Sequence, residues 1–200
     1  MVASMETRDL FLASDGALRE VVSRLTPADL ERQVPNDWSR ADAQTLRDIL
    51  ALHARDEAWV PDLLAGRTME EVGDRWDGDL LADDPIGNYL ALNTAAESAA
   101  LDAFLDPEAT TAHFSYGDYP LTEGFIHIAI YRAFQASMIA RLVGLDYALP
   151  PVVIEGMNEL VVPIVDQWRA IGIFPPAQEV PDGADAEDRL LGTVGYWTPR

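Results

Sequence analysis

An all-α fold is predicted, most simply a four-helix bundle with long crossovers and a C-terminal extension. Three observations predict it. The run Phe125 to Gly144, FIHIAIYRAFQASMIARLVG, places apolar residues on nearly every side of a helix, as befits one in the middle of a bundle. Two further stretches keep helical apolar spacing over long distances: Leu10, Leu18, Val21, Val22 and Leu25, then Leu46, Ile49, Leu50, Val60 and Leu64. No segment shows the clean two-residue alternation of a half-buried strand. Long helices with short and long connections suit a bundle, and 200 residues suit a single domain over 1–200.

The elements follow in order. A first helix is expected over about 6–25, then a short turn introduced by Thr26 and Pro27 and ended before Pro35. Trp38 and Ser39 lead into a second long helix over about 41–65, closed by Gly66, with Pro61 bending its last turns. From Arg67 to Asp84 the chain is acidic and holds Gly73 and Gly78, so an irregular connection packed over the body is expected. Asp84 and Pro85 start a third helix over about 85–105. The segment Asp106 to Tyr119, with Pro107 and Gly117, reads as an irregular crossing to the central helix over about 121–143. Gly144 stands where a left-handed C-cap belongs, with Arg141 in the last turn. An additional helix over about 151–170 has Gly156 and Pro163 as weak points, and a short helical stretch near 188–192 precedes the closing GYWTPR.

Composition narrows the function. A formal net charge of −20 repels phosphate backbones and anionic lipid surfaces, so neither nucleic acid nor membrane is an expected partner. No apolar run approaches the roughly 20 residues a spanning helix needs. The start, MVASMETRDL, lacks a basic segment followed by an apolar core, so a cytoplasmic location is expected. Cysteine is absent, which removes disulfides, thiolate nucleophiles and Cys-based zinc sites. All fourteen basic residues are Arg, the coding bias of a GC-rich genome and in keeping with an actinobacterial source.

The chemistry-bearing residues are few. His127, Tyr131 and Gln135 follow one another at four-residue steps and share a face of the central helix. Polar groups in line on a buried helix are costly unless satisfied or used. His53 falls on the inward face of the second helix, after Ile49 and Leu50, with Asp56 and Glu57 about one turn on. A histidine can take a proton near neutral pH, and a tyrosine hydroxyl can donate one or stabilise an oxyanion. His113, beside Phe114, reads as a surface or packing residue. Phe114, Tyr116 and Tyr119 form an aromatic group that packs on the bundle or walls a pocket. The acidic run EEVGDRWDGDLLADD lacks calcium-loop spacing and reads as a solvated loop.

The run LLAGRTMEEVGDRWDGDLLADDPIGNYL (Leu63 to Leu90), with FSYGDYP and the closing DRLLGTVGYWTP, resembles DinB-like proteins related to the N-terminal domain of mycothiol-dependent maleylpyruvate isomerase. The resemblance covers nearly the whole chain. It implies a DinB-like four-helix bundle holding a divalent metal, zinc or nickel, and thiol-transfer or isomerase chemistry on small molecules. His53 matches the second-helix ligand of such proteins. Their central-helix pattern, D-x-x-x-H-x-W-D-L-A-x-A-x-G, places its Asp on Tyr131, its His on Gln135, its Trp on Ser137 and its second Asp on Met138. Tyrosine and glutamine are poor substitutes for imidazole at zinc or nickel, so neither metal nor mycothiol is expected as a cofactor. Were a metal retained, His53 with His127 or Glu57 would be the donors.

The expected function is therefore a small-molecule enzyme, an isomerase, cyclase or transferase of specialised metabolism. It would work by metal-free acid–base chemistry through His53, His127 and Tyr131, with Gln135, Met138, Trp59 and Phe134 binding an apolar substrate. The alternatives are a metal- and mycothiol-dependent isomerase or S-transferase, and a non-catalytic ligand-binding protein. An exposed bundle face commonly pairs, so a homodimer is the assembly to look for.

Overall fold

The computed structural model describes residues 5–35, 38, 43–102 and 110–199. It is mostly helical. The helix starts expected at 41–42, the end of the third helix at 103–105, and Ser39 and Pro107 lie outside the described residues. The chain divides into two compact units, one made of Met1–Val21 with Phe125–Arg200, the other of Val22–Gly124.

In the unit Val22–Gly124, helix α2 (Pro27–Leu30) leads to α3 (Leu46–Leu64). Helix α3 starts later than its apolar pattern suggests because the preceding residues are extended. Gln33 bridges Thr45, the Val34 amide bonds the Gln44 carbonyl at 3.0 Å, and the Leu46 amide bonds the Arg32 carbonyl at 2.9 Å. These pairings use backbone groups that a longer helix would have needed. A capping box then starts the helix: the Thr45 amide donates to Asp48 Oδ2 at 2.9 Å and the Asp48 amide to Thr45 Oγ1 at 3.3 Å.

The amides of Thr45 and Gln44, followed by the Thr45 hydroxyl, hold the Asp48 carboxyl below its ordinary value despite some opposing burial. A depressed folded-state value means this group stabilises the fold above its unfolded pKa, about 3.9. That contribution disappears as pH falls through the folded value. Asp29, Glu71 and Asp79 are lowered too, by Thr26, Thr68 and Arg47 respectively. Urea midpoints should therefore fall between neutral pH and pH about 3, and Asp48→Asn should flatten that fall. An unchanged acid limb in the variant would show that this cap does not contribute.

Pro61 lies in the last turns of α3, yet the helix runs on to Leu64. The connection that follows is more ordered than its composition suggests. Thr68 and Glu71 cap a one-turn helix, α4 (Met69–Val72), whose Val72 is buried. Asp62, 7% exposed, gathers Arg67 Nη1 at 3.0 Å, Arg75 Nη1 at 3.0 Å and Trp76 Nε1 at 2.8 Å. Further along, Arg55 pairs with Asp77 at 2.7 Å, and Arg47 with Asp79 at 2.9 Å and the Ala82 carbonyl at 3.2 Å. The connection thus runs back along α3 from its end to its start. Asp62→Ala should cost about 2–3 kcal/mol, the scale of hydrogen bonds to a charged group. Urea unfolding checks this, with faster proteolysis between residues 65 and 84 as its local sign; unaltered stability would make Asp62 a bystander.

Because the connection returns to the start of α3, helix α5 (Pro85–Asp102) begins there and runs parallel to α3. Asp84 caps it by accepting from the Gly87 amide at 3.1 Å. The segment read from sequence as an irregular crossing is in part a β-hairpin, with β1 (Thr111–Phe114) pairing antiparallel to β2 (Gly117–Pro120) from Thr111↔Pro120 to Phe114↔Gly117. Four-residue strands are too short to show alternation. At Gly124 a Cβ would come within 2.7 Å of the Ala112 Cβ, so the hairpin needs glycine there.

In the other unit, α1 (Thr7–Ser23) and α6 (Leu121–Val143) supply the long helices. Between residues 132 and 140 every α6 residue is buried, Arg132, Gln135 and Ser137 included. Gly144 at φ 77 ends α6, and the Leu145 amide bonds the Ala140 carbonyl at 2.9 Å in a left-handed cap. The helix expected over 151–170 breaks at Pro163 into α7 (Pro151–Leu160), a 3-10 turn at Val162–Ile164, and α8 (Val165–Ala170). Helix α9 (Ala186–Val194) anchors the tail. Its buried Glu187 accepts from Ser137 Oγ at 2.6 Å, from the Leu149 amide at 2.9 Å and from Arg141 Nη2 at 3.2 Å.

Candidate functional site

The parallel pair α3 and α5 buries a line of polar side chains. His53 and Glu57 stand one turn apart on α3; Tyr89 and Asn93 stand one turn apart on α5. All four are 0% exposed. The Tyr89 hydroxyl donates to Glu57 Oε1 at 3.2 Å and joins the two helices. Asn93 follows Tyr89 by four residues on α5, about 6 Å further along the helix axis. Neither amide atom of Asn93 has a hydrogen-bond partner among the described residues. Pro61 adds one more feature: it has no N–H to close the helical bond to the Glu57 carbonyl.

The packing around this line is apolar. Leu46, Ile49, Leu50, Ala54, Ala58 and Val60 of α3 are buried, as are Ala96 and Ala100 of α5. In such surroundings a carboxylate, an imidazole, a phenol and an amide are expensive to hold. Their concentration in one seam is costly to the fold of this unit unless the groups are paired or used. Among the described residues, no group of three or more His, Cys, Asp or Glu side chains is placed to hold a metal ion.

The other residues singled out from sequence lie elsewhere. Trp59 of α3 is half-buried. His127, Tyr131, Phe134, Gln135 and Met138 all belong to α6 in the unit built from Met1–Val21 and Phe125–Arg200. The half-buried His127 ring meets Trp168 edge-to-face, with ring centres 4.7 Å apart. Tyr131 is half-buried as well. Phe134 packs among aromatic rings, 6.2 Å from Phe174 and 5.8 Å from Tyr196. Gln135 is buried, its Nε2 lies 3.7 Å from Met138 Sδ, and its Oε1 has no hydrogen-bond partner among the described residues. His113 is cross-strand from Asp118, Nδ1 to Oδ1 2.7 Å, and Phe114 stacks on Tyr116 at 5.0 Å.

In the unit built from Met1–Val21 and Phe125–Arg200, a groove of about 470 Å³ opens between α8, residues 177–180 and α9. Its Arg169 is engaged by the carbonyls of Pro175 at 2.9 Å and Thr193 at 2.7 Å. That guanidinium holds the tail rather than a ligand. The polar seam, although enclosed, is therefore the stronger candidate.

Tyr89 and Asn93 escape a reading of the sequence alone. They share a face with Ala96 and Ala100, but that face carries no motif, and its partner Glu57 is tertiary. Glu57 itself, equally consistent with a solvent-facing residue, is fully enclosed. Comparison with protein-family models, with curated proteins and with solved structures found no match to this chain.

Proposed function

We propose that this chain is a cytoplasmic small-molecule enzyme on a DinB-like four-helix bundle, working by acid–base chemistry in the isomerase, cyclase or transferase class. The observation that carries the proposal is the fully buried pair His53 and Glu57, one turn apart, with Glu57 bonded to Tyr89. In this reading the His53 imidazole takes a proton from the substrate and returns it at a second position. Glu57 stabilises the imidazolium that forms in between, and Tyr89 holds the Glu57 carboxylate in place. His127 and Tyr131 remain candidates for a second acid–base pair on α6.

The bundle assignment is supported by four long helices, α1, α3, α5 and α6, of 17, 19, 18 and 23 residues. It is supported too by the crossover that leaves α3 and α5 parallel, a connection known in such bundles. The donor set does not fit the metal that the resemblance implies: His53 and Glu57 supply two ligands, while Tyr131 and Gln135 stand where Asp and His would be. Metal content and turnover, measured together, test the proposal. Tag-free protein should carry well below one zinc, nickel or iron per chain, and its turnover should not respond to added divalent ions. Near one metal per chain, with turnover abolished by a chelator, would overturn the metal-free reading.

A further inference from the structure

We infer that Asn93 is a substrate-positioning group, and that it recognises a small neutral molecule with a donor–acceptor edge: a lactam, an imide or a primary carboxamide. The inference rests on the proposed function of the α3–α5 seam and names the ligand class it would take.

Asn93 is 0% exposed, and both its Oδ1 and its Nδ2 are without a hydrogen-bond partner among the described residues. Buried polar groups are nearly always paired, and an amide has both an acceptor and donors to satisfy. A side chain selected only for packing at this position would be apolar, as Ala96 and Ala100 are on the same face. An amide is favoured when something else completes it. A molecule offering one N–H and one C=O side by side meets Oδ1 and Nδ2 together. In a chain of net charge −20 a neutral molecule is favoured over an anion at this place. The seam is enclosed, so the ligand is small and enters on local opening of the helix pair.

The test uses full-length wild type, Asn93→Leu and His53→Ala, with 2-piperidone, succinimide and benzamide as probes and benzoate as the anionic control. Without probe, Asn93→Leu should raise Tm by about 2–4 °C, because a desolvated amide gives way to a side chain of similar volume. Millimolar neutral probes should raise the Tm of wild type and of His53→Ala but not of Asn93→Leu. Should the Leu variant fail to fold, Asn93→Ala carries the same comparison of probe binding. A lower Tm for Asn93→Leu, with probe shifts unchanged, would overturn the inference by making Asn93 an internal structural group. Benzoate shifting wild type more than benzamide would overturn the ligand class, and no shift from any neutral probe would do so as well. Probe binding that persists in His53→Ala keeps this result separate from the catalytic role: the seam could bind amides and still not turn them over.

Discussion

His53→Ala should lower turnover by about 100- to 10,000-fold, the range a positioned general acid–base group contributes, while the far-ultraviolet spectrum keeps its helical shape. Alanine is the best helix former, so α3 has no local reason to unwind at this position. The loss should appear in kcat as well as kcat/KM, because the proton transfer belongs to the transition state and not to binding. Glu57→Gln should give a smaller loss, since it removes the charge beside the imidazolium but keeps an acceptor for the Tyr89 hydroxyl. If His53→Ala turns over at the wild-type rate, His53 plays no part in the chemistry and the seam is only a buried polar contact.

Arg132→Met should destabilise the protein by about 3–5 kcal/mol, the cost of leaving one partner of a buried ion pair alone. Arg132 lies on α6, 1% exposed, and donates through Nε to Asp15 Oδ1 at 2.7 Å. Its Nη1 reaches the Ile128 carbonyl at 2.9 Å, and its guanidinium lies 5.3 Å from the centre of the Phe11 ring. Removing the cation takes away the guanidinium from which Asp15 Oδ1 accepts a hydrogen bond inside the unit. The double variant Asp15→Leu with Arg132→Met should recover most of the loss, because a well-packed apolar pair avoids the desolvation of both charges. Urea unfolding of the two single variants and the double variant measures the coupling. A loss under about 1 kcal/mol in the single variant, as at exposed pairs, would contradict the picture of a sealed ion pair.

The parts of the fold that could be read from sequence are those set by local pattern. Helix α6 carries apolar residues on nearly every side and ends at Gly144, and both features follow from the order of residues 125–144. The weak point at Pro163 likewise became a break. What escaped reading depends on partners distant in sequence. Residues 41–45 have helical composition, but the extended pairing of Gln44 and Thr45 with residues 32–34 delays α3 to Leu46. Nothing in the sequence marks Asp62, because its partners Arg67, Arg75 and Trp76 meet it only once the connection folds back on α3.

The candidate site divides along the same line. His53 is visible as an inward histidine on an amphipathic helix. Tyr89 and Asn93 are visible only once α5 is laid parallel to α3, because nothing in PIGNYLALNTAAES marks its inner face. Of the central-helix line, His127 and Tyr131 are half-buried, His127 against Trp168, and Gln135 is enclosed with an oxygen that has no hydrogen-bond partner among the described residues. Arg132, a cation in the middle of that largely apolar stretch, has its buried partner in Asp15.

The most direct test of an acid–base site in the α3–α5 seam compares wild type and His53→Ala on a complete small-molecule extract, followed by untargeted mass spectrometry. Wild type should consume at least one neutral compound, with a product of equal mass or a transferred group appearing in step, and His53→Ala should show neither change. Identical profiles for wild type, His53→Ala and a no-protein control would contradict it and leave the seam without catalytic purpose.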